Sequence, residues 1–154
     1  MNICFAVTGV LIILGVLLAQ HAWGTSFWTH VSRGLLLLAG AAYVLVAREP
    51  EDVNLDLHVL GALVILFLGN TGLILAGLVP GRAPLARIRG WSIGLGLLGL
   101  TASVLFLGHH YLFLGMGGME RVAVYPLSAW TLIAALGVLL PARAAQPTAG
   151  PVPT

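Results

Sequence analysis

The residues with which this chain could do chemistry are few, and they fall in three places. The stretch Arg48 to His58, REPEDVNLDLH, carries Glu51, Asp52, Asn54 and His58. His109 and His110 follow some fifty residues later, and GMGGMERVAVYPLSAW from Gly115 to Trp130 then brings Glu120, Arg121 and Tyr125. If His58, His109 and one of the acids converged, they could hold a metal ion and activate a bound water for hydrolysis. The local alternatives outweigh that reading. Asn54 or Asp52 can cap a helix start, and Asp56 in a first turn suits the positive end of the helix dipole. If His109 and His110 end a helix, they sit about 100° apart, so at most one of them points inward. No metal site and no cofactor are therefore assigned. No nucleophile elbow, phosphate-binding loop, HExxH or dinucleotide fingerprint is present. The single cysteine, Cys4, excludes a disulfide framework or cysteine cage within one chain.

Asn70 is the polar residue expected to lie deepest in the membrane, inside the run Gly69-Asn70-Thr71-Gly72. Twelve residues after His58, it lies about 18 Å further along a helix. An amide at such depth is expected to face other helices and bond one of them. Arg121 is expected to pair with an acid, preferably Glu51 or Asp52, because Glu120, its neighbour in sequence, points elsewhere on a helix.

The elements that must position these residues are membrane-spanning helices. Of 154 residues 59% are hydrophobic and 8% charged, with a mean hydropathy of +1.03. About 25% charged residues is usual for soluble domains, and twelve charged side chains cannot cover one. About 20 apolar residues span a hydrocarbon core of about 30 Å. Five stretches meet this, at roughly 3–20, 31–47, 57–79, 91–114 and 122–140. None shows period-2 alternation, so the fold class is all-α: a polytopic helical bundle over residues 1–143. Residues 144–154, AAQPTAGPVPT, read as a disordered tail. The first stretch lacks the basic start and small-residue cleavage site of a signal peptide and should remain a helix.

Five of the seven arginines (Arg33, Arg82, Arg87, Arg89, Arg143) fall on one side of such a bundle and all five acids on the other, which carries a net charge of −3. The arginine side, with the C-terminus, is expected to be cytoplasmic. The composition suggests a bacterial plasma membrane. Trp23, Trp28 and Trp91 would then anchor the inner interface. Gly90 and Gly94, a GxxxG spacing extended by Gly96 and Gly99, are expected to serve packing within the chain ahead of a dimer face. The expected partner is the lipid bilayer, with helix-mediated self-association or a membrane partner as a further expectation. The dispersed arginines form no basic stripe, so no nucleic acid is expected.

Pro50-Glu51-Asp52-Val53-Asn54 with His58-Val59-Leu60-Gly61-Ala62, then Gly69-Asn70 and Gly77, then Gly118-Met119-Glu120-Arg121 with Tyr125-Pro126 and Trp130, form a pattern. It resembles the bacterial membrane family called domain of unknown function 998, over most of residues 1–143. The stretch from Phe5 to Gly9 resembles that family's second spanning helix, so the resemblance implies an earlier helix that this chain lacks. It implies fold and membrane location but no reaction. Two functions remain: a structural, interaction or carrier-like membrane module, which is preferred, and a metal-dependent hydrolase or lipid-modifying enzyme using the outer carboxylates and histidines.

Overall fold

The structure is a computed structural model that describes residues 2–79 and 85–139. The tail, Arg82, Ala83 and Arg143 lie outside the described residues. Helix α1 covers Asn2–Leu18 and continues as a 3-10 turn, Ala19–Ala22; α2 is Phe27–Arg48; α3, Leu55–Leu63, runs through a π-helical stretch, Val64–Gly69, into α4, Asn70–Leu78. A 3-10 turn, Leu85–Ile88, opens α5, Arg89–Leu107, and α6 is Met116–Leu139. The described residues are helical without a strand, and they form five helical spans long and apolar enough to cross a membrane. The all-α reading holds.

Local chemistry sets several boundaries. The Ser26 hydroxyl accepts from the Thr29 N–H at 3.2 Å, which starts α2 four residues before the expected Val31. Asn54 Oδ1 accepts from the Leu57 N–H at 3.1 Å, so of the two proposed caps Asn54 is the one used. Two expected boundaries are corrected. The fourth span ends at Leu107, so His109 and His110 lie in the following turn, where His109, Leu112 and Phe113 have φ of 58°, 44° and 67°. Side chains are strained in this left-handed region, which stops the helix. Conversely, Gly117 and Gly118 are helical in α6, which places Glu120 and Arg121 in its first turns rather than in a loop before it. Within a span an unpaired backbone group costs more than glycine's weak helix propensity.

The helices from α2 to α6 are tied together by side chains that bond backbone carbonyls. Ser32 Oγ donates to Gly72 O at 2.8 Å, joining α2 to α4, and the Tyr43 hydroxyl donates to Val124 O at 3.1 Å, joining α2 to α6. Arg89 Nε donates to Gly77 O at 2.8 Å, placing a cation on the negative end of α4. Trp130 Nε1 donates to Ser92 Oγ at 2.7 Å between α6 and α5. Among the described residues no such bond reaches α1. That helix lies along α2 by close approach of Gly9 and Gly40: a Cβ on Gly9 would stand 2.5 Å from Gly40 O.

Two expectations about packing are corrected. A Cβ on Gly90 or Gly94 would meet nothing within 4 Å, whereas one on Gly96 would stand 2.7 Å from Asn70 O. The intrachain glycine face therefore runs through Gly96 and Gly99, and Gly90 and Gly94 face away from it. Trp28 and Trp91 are 58% and 62% exposed, as interfacial anchors should be, but Trp23 is 4% exposed and packs tilted at 48° against Trp130 with centroids 6.3 Å apart. The 3-10 turn after α1 folds Trp23 back into the core, so it is a packing residue.

Candidate functional site: a polar knot and a cleft between the first and last helices

Asn70, 1% exposed, is the centre of the bundle. Its Nδ2 donates to Leu66 O at 2.8 Å and to Ala123 O at 3.1 Å, the latter on α6, so the amide bonds another helix as expected. Asn70 stands where the π-helical stretch gives way to α4, and Leu66 O within that stretch also accepts from Ser103 Oγ of α5 at 3.2 Å. On α6, Ala123 O and Val124 O, just before Pro126, accept from Asn70 and Tyr43. Asn70 Oδ1 has no hydrogen-bond partner and lies against Gly99, where any Cβ would overlap the amide. These bonds form one knot that holds α2, α4, α5 and α6 together.

That knot is structural, and its stability follows from its bonds. Asn70→Leu removes donor and acceptor together and leaves Ser103 on Leu66 O, so it is expected to cost about 1 kcal/mol, within the range for paired hydrogen bonds in membranes. Unfolding in mixed detergent micelles by titration with a denaturing detergent measures this.

The expected outer residues divide between several places. His58 Nδ1 lies 3.1 Å from Glu49 O, tying the start of α3 to the end of α2. His109 Nδ1 lies 2.8 Å from the Tyr111 hydroxyl. Glu51 and Asp52 are exposed in the turn between α2 and α3. Among the described residues no three histidine, cysteine or acidic side chains come together to hold a metal ion. Arg121 also departs from expectation. Its Nη1 donates to Gly117 O at 3.0 Å, one turn back on its own helix, and not to Glu51, Asp52 or Glu120. That carbonyl lies near the helix start and within easy reach, whereas an acid on the α2–α3 turn must come from across the bundle.

What the structure does bring together is a cleft between α1 and α6. Glu120, Arg121 and Tyr125 line its polar end with Cys4, Thr8 and Tyr43, around about 250 Å³. Past Thr8 and Ser128, which line both parts, it widens into an apolar groove of about 570 Å³ bounded by Leu11, Gly15, Leu18, Trp23, Trp130, Ala135 and Leu139. Such a volume suits a small ligand. The polar half was visible in part as Glu120, Arg121 and Tyr125. Tyr43, Thr8 and Ser128 were missed, since a lone hydroxyl in an apolar run gives no sequence signal of what it faces.

Comparison with family models, with curated proteins and with solved structures finds no match to this chain.

Proposed function

We propose that the chain is a multi-pass integral membrane protein of the carrier-like or interaction kind, which admits a guest from the bilayer between α1 and α6. The observation that carries this reading is the contrast between a hydrogen-bonded set of helices, α2 to α6, and α1, which is held to α2 by packing and leaves a side groove against α6. The metal-dependent hydrolase reading has no observation in its favour, because His58 and His109 are each engaged locally. A bacterial plasma membrane, a cytoplasmic C-terminus and kinship with the domain of unknown function 998 belong to the proposal and rest on the sequence pattern alone.

Spin labels test it. In a Cys4→Ser background, labels at Leu18 and Leu136 should give a broad α1–α6 distance distribution that shifts with the lipid supplied, while labels at Leu38 and Leu98 on α2 and α5 stay narrow. Equal, lipid-insensitive widths would sink the reading. The orientation has its own measurement: a cysteine placed at Ala83 should resist an impermeant maleimide added to intact cells, because Arg82, Arg87 and Arg89 keep that loop inside.

A further inference from the structure

We infer that the α1–α6 cleft binds a zwitterionic phospholipid of the leaflet at the acidic end, one acyl chain lying in the apolar groove and the headgroup between Arg121 and Glu120; this rests on the carrier-like reading and names its ligand. Three observations converge on that chemistry. First, polarity changes between two adjoining pockets that share Thr8 and Ser128. Thr8, Glu120, Arg121 and Tyr125 stand at one end, and the groove beyond Thr8 and Ser128 is almost wholly apolar. A polar head on an apolar tail matches that change, whereas a helix of a second copy would set apolar side chains against Glu120 and Arg121.

Second, the length fits a chain. Lining residues run from Cys4 in α1 to Ala19 just beyond it, fifteen residue steps or about 22 Å of helix rise. This exceeds half of a hydrocarbon core of about 30 Å, so one extended chain can lie within it from the interface inward. Third, the charges select the headgroup. Arg121 and Glu120 both line the head end, and Arg121 is bonded to a carbonyl and not to a carboxylate, which leaves its other donors for a phosphate. Glu120 supplies the opposite charge for an ammonium. The acidic end as a whole carries two arginines and five acids, a field that disfavours a headgroup of net negative charge.

Tryptophan quenching tests the inference. Trp28→Phe with Trp91→Phe leaves Trp23 and Trp130, each 4% exposed and both lining the groove. A phosphatidylethanolamine brominated in its acyl chain, titrated into detergent micelles of that variant, should quench them saturably. Unbrominated phosphatidylethanolamine should compete about threefold better than phosphatidylglycerol, the scale of a modest exposed charge preference. Arg121→Gln and Glu120→Gln should each bring that ratio close to one. Gly15→Phe with Ala135→Phe fills the groove from positions that are exposed, where a Cβ on Gly15 meets nothing within 4 Å. It should abolish saturable quenching while the variant stays monodisperse with unchanged tryptophan emission. Saturable quenching that survives the filled groove overturns the site. Equal competition by the two lipids overturns the headgroup assignment and leaves the carrier-like reading standing, and the absence of saturable quenching by either lipid overturns the acyl-chain ligand. A lipid-insensitive α1–α6 distance would be the separate mark of failure for the carrier-like reading.

Discussion

Gly99→Ala is expected to destabilise the bundle by about 3 kcal/mol, more than deleting the amide it touches. A Cβ at Gly99 would occupy the space of the Asn70 side chain. The amide cannot yield without breaking its bonds to Leu66 O and Ala123 O, and it would remain buried with its polar atoms unpaired. Removing both partners of a buried bond costs little, whereas displacing one costs its desolvation. The cost should therefore be lower in the double variant Gly99→Ala with Asn70→Ala than the two single costs added together, by on the order of 1 to 2 kcal/mol of coupling. Denaturing-detergent titrations of the four proteins give the cycle. Strict additivity would show that Asn70 and Gly99 do not act as a unit.

Gly9→Val should release α1 from α2 at a cost of about 2 to 3 kcal/mol, the upper range for overpacking. Its Cβ would stand 2.5 Å from Gly40 O and 2.9 Å from both Tyr43 Cβ and Val44 Cγ2, and two of these atoms belong to stiff, central parts of α2. Since no side-chain hydrogen bond holds α1 among the described residues, nothing compensates the lost approach. The expected result is a loss of protection at α1 in hydrogen exchange with α4 and α5 unaffected. Gly15→Ala serves as the control and should change stability by less than about 0.5 kcal/mol, because Gly15 faces open space. If Gly9→Val leaves α1 protected, the glycine approach is not what docks it.

The spans were legible in the sequence because hydrocarbon imposes length and apolarity on any helix that crosses it. Asn70 was legible for the same reason: an amide in an apolar run must find a partner. The partner itself was not, since Ala123 lies 53 residues away on another helix. Ser32, Ser92 and Ser103 went unnoticed because a hydroxyl can bond its own helix as readily as a neighbour's. Ser103 has both within reach and one proton to share, with Gly99 O at 2.7 Å and Leu66 O at 3.2 Å. Trp23 shows a different limit. Its position near a span end predicts an interface, and only the turn at Ala19–Ala22 decides that it goes inside. The cleft depends on the spacing between the first and last helices, which no local pattern encodes.

The Asn70 knot also has a consequence for how the chain is made. Ala123 emerges from the ribosome 53 residues after Asn70, a delay of about 3 to 10 s at 5 to 20 residues per second. During that interval the amide has Leu66 O on its own helix but no acceptor on α6, so α3 to α5 reach the bilayer as a set of helices whose final tie has not been synthesised. Ser103 arrives earlier and can dock α5 first. Membrane insertion and tertiary assembly are thereby separated in time, and α6 is the piece that closes the knot. A chain stalled before Ala123 should be inserted yet still open to exchange and proteolysis at α4, and release of the stall should protect it.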